Sequence, residues 1–195
     1  MPKIRLAGLL LCIGNIQFLL AMTIAGAQYP GYSIASNFIS DLGLGPTALI
    51  FNLSIIFLGI CILIAAILLY HASPWWLFNI ALGMTGIAAI GVGLFPENLW
   101  IFHIIAAAAT FLFGAISALG SYYVTRAPFS YICLFLGLFS IVSFILFAGS
   151  VFTGIGPGGM ERMIAYPVIL WGIALGGYLM GSSGQPGMDF LSRYH

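Results

Sequence analysis

Six long apolar stretches dominate this sequence of 195 residues, in which 62% are hydrophobic and only 5% are charged. A helix of about 20 apolar residues spans the hydrocarbon core of a bilayer. A soluble domain carries about 25% charged residues, so a soluble fold of this chain would lack a polar shell. Lipid must therefore be its main solvent. The sequence predicts an all-α integral membrane protein, a single domain built as a bundle of six transmembrane helices.

The turn residues between the apolar stretches place the helix boundaries. We expect one transmembrane domain over residues 1–195, because six spans use roughly 120 residues and leave short loops. The basic flank of the first stretch resembles a signal peptide, but its apolar run is too long, and we interpret it as a retained helix. The predicted helices cover about 6–26, 46–70, 74–95, 99–124, 129–152 and 160–181.

The distribution of basic residues predicts how the bundle is oriented. Lysine and arginine are enriched in cytoplasmic loops. With six spans, one side carries four basic residues and the other carries Arg162 alone; the four are Lys3, Arg5, Arg126 and Arg193. Both termini are thus expected in the cytoplasm of a multi-pass protein of the cell membrane. Acidic residues follow the opposite pattern, with Asp41, Glu97 and Glu161 in the three outer connections.

The first outer connection is the longest, and it contains several polar candidates. Ile34, Phe38 and Leu42 recur at a spacing of four, which predicts a short interfacial helix over 33–42 with one apolar face. This helix could simply cover the top of the bundle. Alternatively, its polar side supplies a site, for which the candidate ligand-binding residues are Tyr32, Asn37 and Ser40.

His103 is the most informative single residue. If the fourth helix starts near Pro96, His103 lies about 10 Å below that start at 1.5 Å per residue. Ionisable groups at such depth are costly and usually functional. The alternative is a neutral imidazole that is hydrogen-bonded to a carbonyl or hydroxyl oxygen. His71 and His195 are expected at the opposite face, which argues against a bis-histidine haem or a three-histidine zinc site.

Glu161 and Arg162 open the sixth helix after a glycine-rich run. Arg162 could form an ion pair with Asp41 or Glu97 that holds the loops together. It could instead bind a phosphate or carboxylate group, because arginine forms bidentate contacts with such anions. We therefore treat Arg162 as a candidate ligand-binding residue and Asp41, Glu97, His103 and Glu161 as candidate catalytic acids or bases.

Other patterns limit the remaining options. A net charge of +1 gives no indication of nucleic-acid binding. A retinal Schiff base is excluded because no lysine lies within a span. The sequence indicates no metal site and assigns no cofactor. On the sixth helix, Gly172-xxx-Gly176 and Gly177-xxx-Gly181 predict close approach of neighbouring helices.

Three short stretches together resemble a prokaryotic membrane family known as domain of unknown function 998. They are Ile39-Ser40-Asp41-Leu42-Gly43, Phe95-Pro96 with His103 downstream, and Gly159-Met160-Glu161-Arg162. The resemblance extends over nearly the whole chain. It implies a six-helix protein whose activity is unassigned, so it supports the fold more than any function.

Three functions remain open at this point. The first is binding or modification of an anionic lipid headgroup or small ligand at the outer polar cluster. The second is a structural or accessory subunit that binds a membrane-protein partner or a second copy of itself. The third is a small-solute or proton-coupled transporter, which requires a polar path to the cytoplasm. Convergence of the five ionisable candidates around an open cavity would favour the first.

Overall fold

The computed structural model describes residues 3–70 and 75–182. His71, Pro74, Asp189, Arg193 and His195 lie outside the described residues, so the predictions that involve them are not addressed. Within the described ranges, six helices are long and apolar enough to cross a membrane, which confirms the predicted fold class. They are α1 (Lys3–Gln28), α2 (Ala48–Tyr70), α3 (Trp76–Leu94), α4 (Trp100–Val124), α5 (Phe129–Ala148) and α6 (Gly156–Ser182).

Each helix packs against its neighbours in the sequence, and α6 packs against α1 to close the ring. The Ser40–Gly43 segment contacts the Glu97–Leu99 segment, and Gly158 at the start of α6 is hydrogen-bonded to Ala35. The α1–α2, α3–α4 and α5–α6 connections therefore meet at one end of the bundle. That end carries Asp41, Glu97 and Glu161, and we call it the acidic end. Its outward orientation across the membrane stays a prediction.

The helices differ in how much apolar surface they present to lipid. In the most apolar window of α4, and likewise of α5, only 22% of the residues are buried, whereas the value for α3 is 56%. Large side chains such as Trp100, Ile105 and Phe135 are more than half exposed on these two helices. The α4–α5 side is thus the face of the bundle that lipid contacts most extensively.

The α5–α6 connection differs from the prediction at both ends. Helix α5 ends at Ala148 rather than near residue 152, and α6 begins at Gly156 rather than near residue 160. Ser150 and Thr153 adopt positive φ angles of 58° and 47°, a conformation that cannot continue a right-handed helix. Half of the glycine-rich run thus belongs to α6 instead of forming a flexible loop.

The predicted helix over 33–42 is wrong in detail. The chain forms a turn at residues 33–37 and then a short 3₁₀ helix, Ser40–Gly43. The side chain of Asn37 accepts a hydrogen bond from the Ser33 amide, and Asp41 accepts one from the Phe38 amide. These side chains compete with the backbone carbonyls for the amide donors, which is why Asn and Asp favour turns over helix interiors.

The first of the two glycine motifs on α6 packs inside the bundle. At Gly176, an added Cβ would lie 2.5 Å from the Gly8 carbonyl oxygen of α1 and 2.7 Å from the Cys12 sulfur. At Gly177, the next residue, an added Cβ would meet nothing within 4 Å. The close approach of α1 and α6 therefore depends on Gly176.

We expect Gly176→Ala to destabilise the bundle by about 1–3 kcal/mol, the usual cost of overpacking, and to lower Tm by several degrees. The matched control is Gly177→Ala, which should leave Tm unchanged or raise it slightly, because alanine favours helix. Thermal unfolding of the purified proteins in the same detergent measures both. Equal effects of the two variants would contradict this packing.

Candidate functional site

Residues 29–39, which we call the capping loop, cover the start of α6 at the acidic end. The Gly158 amide donates a hydrogen bond of 3.0 Å to the Ala35 carbonyl. A Cβ at Gly158 would collide with the backbone carbonyls of Asn37 and Ile34. The glycine-rich start of α6 thus lets the backbone of the capping loop lie directly on the helix.

The buried Arg162 side chain, which is 4% exposed, ties this loop to α6. Its Nη1 donates to the carbonyl oxygens of Ile34, Asn37 and Gly158 at 3.0, 3.1 and 2.7 Å. Its Nη2 donates to the Tyr32 hydroxyl. In the described part of the chain, the hydrogen bonds of Arg162 thus go to carbonyl and hydroxyl oxygens, and the ion pair with Asp41 or Glu97 is not formed. Arg162 holds the loops together through neutral acceptors.

Tyr32 completes the cradle of Arg162. Its hydroxyl accepts from Arg162 and donates to the Phe38 carbonyl at 3.0 Å, and the guanidinium carbon lies 5.5 Å from the ring centroid. Burial raises the pKa of Tyr32 above its usual value, although the Arg162 charge acts in the opposite direction. The phenol therefore stays protonated at neutral pH and can keep donating to Phe38.

Asp41 and Glu97, from two different connections, come together above the bundle. One oxygen of Asp41 accepts from the Asn37 side chain at 2.8 Å and from the Phe38 amide at 3.0 Å. The Glu97 carboxyl lies beside the side chains of Asp41 and Ser40, close enough for the two carboxyl groups to interact. A hydrogen bond between two carboxyl groups requires a proton on one of them. The second oxygen of Glu97, Oε2, is buried without a hydrogen-bond partner among the described residues.

Glu161 points the other way from its neighbour Arg162. It is 6% exposed, and its Oε2 accepts a hydrogen bond from the Ile39 amide. That contact fixes the chain immediately before Ser40. Glu161 therefore positions the Ser40–Gly43 turn and contributes a third carboxyl group to the same region.

His103 lies within α4 and is 6% exposed. Its Nδ1 is 2.8 Å from the Phe95 carbonyl oxygen. A carbonyl can only accept, so Nδ1 carries a proton, and in a neutral ring Nε2 is then the acceptor. In the described ranges Nε2 has no hydrogen-bond partner. From the sequence, an imidazole hydrogen-bonded to a carbonyl oxygen was the alternative to a functional role, and the Nδ1 contact is of that kind. The contact uses only one ring nitrogen, so Nε2 can still contact a ligand.

Two cavities meet at these residues. A lateral groove of about 360 Å³ runs between α4 and α5. An inner cavity of about 80 Å³ extends into the bundle as far as Ile62 and Thr85. Both are lined by Ser40, His103 and Glu161, and Glu97 also lines the groove. We call Ser40, Asp41, Glu97, His103 and Glu161 the polar cluster.

Not all of the sequence candidates belong to this cluster. Arg162 and Tyr32 line a separate cavity of about 310 Å³ on the α1–α6 side. Asn37 supports Asp41 from the capping loop. The acid–base roles of Asp41, Glu97, His103 and Glu161 and the ligand-binding role of Ser40 stay predictions. Within residues 3–70 and 75–182, no three His, Cys, Asp or Glu side chains are placed to hold a metal ion.

Sequence reasoning missed the apolar walls of the groove. From α4 they include Ala107, Ala108 and Phe111, and from α5 they include Phe144 and Phe147. One signal was present in the sequence, namely the run of four alanines at 106–109. Small side chains within a lipid-facing helix leave space beside the large aromatic residues of the neighbouring helix.

These features define a multi-pass helical membrane protein with a polar cluster at one end, reached by a groove in its lipid-facing wall. The chain belongs to the family described as "Protein of unknown function (DUF998)", whose model matches residues 12–178. This confirms the resemblance drawn from the three short stretches. No curated protein and no solved structure matches the chain significantly.

Proposed function

We propose that this protein binds a membrane amphiphile, whose chain lies in the lateral groove and whose polar head reaches the polar cluster. The observation that carries this proposal is the position of the groove. It lies between the two helices that face lipid most extensively and ends at His103, Ser40, Glu97 and Glu161. A lipid could enter from the bilayer without leaving the apolar phase.

The composition of the groove supports an apolar occupant. Its walls away from the cluster are aromatic or small apolar residues, and Trp100 and Ile104 at its outer edge are 71% and 47% exposed. Ligand sites are mostly apolar with a few polar groups that fix orientation. The groove has this arrangement, with the polar groups gathered at one end. We further propose that the protein resides in the cell membrane with the acidic end outward.

Blocking the groove tests this function. Ala108 lines the groove, so Ala108→Trp should fill part of it and reduce binding of a long-chain amphiphile at least tenfold. The assay is equilibrium dialysis with radiolabelled dodecylammonium, using protein in nanodiscs of zwitterionic lipid. The control is Ile105→Trp, which adds the same side chain on the same helix at a position 63% exposed to lipid.

Each outcome decides the proposal. Loss of binding in Ala108→Trp alone, with both variants monodisperse and equal in Tm, supports the groove. Unchanged binding in Ala108→Trp overturns it, and a partner-binding or transport role becomes the better explanation of the fold.

A further inference from the structure

The strongest remaining observation concerns the hydrogen-bonding character of the polar cluster, and this inference rests on the proposed function. Two of its polar atoms are acceptors without a donor. Glu97 Oε2 is buried and unpartnered among the described residues. His103 lines both cavities, and because its Nδ1 contacts the Phe95 carbonyl, Nε2 is the ring nitrogen left for a ligand. An unpaired buried acceptor costs free energy that a donor on a ligand would recover.

The donors near the cluster are few. The Ser40 hydroxyl lies beside Glu97, and the Ile39 amide donates to Glu161. The indole of Trp100 lies at the lipid-facing rim of the groove, where the side chain is 71% exposed. An anionic head that entered the groove would thus meet carboxyl groups and few free donors.

The one buried cation at the acidic end is placed elsewhere in the described structure. Arg162 donates its hydrogen bonds to carbonyl oxygens of the capping loop and of Gly158. It lines the cavity on the α1–α6 side but neither of the two cavities that meet at His103. Its charge is therefore not presented to a ligand in the groove.

We infer that the head bound at the polar cluster is a hydrogen-bond donor that carries positive charge, such as a primary ammonium group, and not a phosphate or carboxylate. An ammonium group has three N–H donors and no acceptor. It can donate to Glu97 Oε2, which lies in the same groove as His103, and the carboxyl groups of the cluster that are ionised favour its charge. This reverses the anionic headgroup that Arg162 suggested from the sequence.

The test compares amphiphiles that share one chain and differ only in the head. Dodecylammonium, dodecanol and dodecyl phosphate compete for the groove in nanodiscs of uncharged lipid, at pH 7 and fixed ionic strength. We expect dodecylammonium to bind at least tenfold more tightly than dodecanol and dodecyl phosphate to bind more weakly than dodecanol. Glu97→Gln should weaken dodecylammonium at least tenfold and leave dodecanol within threefold.

The outcomes distinguish failure of the headgroup assignment from failure of the proposed amphiphile binding. If none of the three amphiphiles binds, the proposed function itself fails. If dodecyl phosphate binds as tightly as dodecylammonium, the donor assignment is overturned and lipid binding stands. Because charges elsewhere on the protein could also attract a cation, the preference for dodecylammonium over dodecanol must disappear in Ala108→Trp. A preference that persists in this variant also overturns the assignment.

Discussion

Replacement of Arg162 by glutamine is expected to produce the largest loss of stability of any single change at the acidic end. The guanidinium donates to three backbone carbonyls and to the Tyr32 hydroxyl. Hydrogen bonds to a charged group contribute about 1.5–3 kcal/mol each, and their loss leaves buried carbonyl oxygens without a donor. A chain of this size loses about 2–4 °C in Tm per kcal/mol, so the fall in Tm should exceed that of Gly176→Ala.

The conservative variant Arg162→Lys is the control. It keeps the positive charge but loses the planar fork that reaches several acceptors at once, so its loss of stability should be smaller than that of Arg162→Gln. Hydrogen exchange should show faster exchange of the Gly158 and Asn37 amides in both variants, because these amides hold the capping loop. A Tm of Arg162→Gln equal to that of the unaltered protein would refute a structural role for the cradle.

Replacement of His103 by asparagine is expected to weaken ligand binding strongly while preserving the fold. The asparagine amide can take the position of Nδ1 and donate to the Phe95 carbonyl, whereas nothing replaces Nε2. A hydrogen bond to a charged group contributes about 1.5–3 kcal/mol, which corresponds to a loss of about tenfold to 150-fold in affinity for dodecylammonium. Equilibrium dialysis gives the affinity, and thermal unfolding checks the fold.

His103→Gln serves as the matched variant for the other nitrogen. The longer amide can approach the position of Nε2 but reaches the Phe95 carbonyl less well. It should retain more affinity than asparagine and lose more Tm. The opposite order, with asparagine binding well and glutamine not, would assign the ligand contact to Nδ1 and remove His103 Nε2 from the site.

The sequence was least informative about the segments that connect distant parts of the chain. The spacing of four between Ile34, Phe38 and Leu42 predicted an amphipathic helix over residues 33–42. In the structure, Ile39 and Leu42 are buried while Ile34 is 64% exposed. Two contacts favour the turn over a helix. Gly156 and Gly158, more than 110 residues later, lack a Cβ and so let the loop backbone pack directly on α6. The side chains of Asn37 and Asp41 accept hydrogen bonds from backbone amides of the loop.

The sequence by itself determined the six-helix architecture and the gathering of Asp41, Glu97 and Glu161 at one end. Both follow from local properties, since apolar length sets the spans and short connections make neighbours antiparallel. Only the tertiary structure decided what each ionisable group faces. Glu161 and Arg162 are adjacent in sequence, yet one turns to the polar cluster and the other to the capping loop. Successive helical residues point about 100° apart, so only the packed neighbours on each side decide which group can meet a ligand.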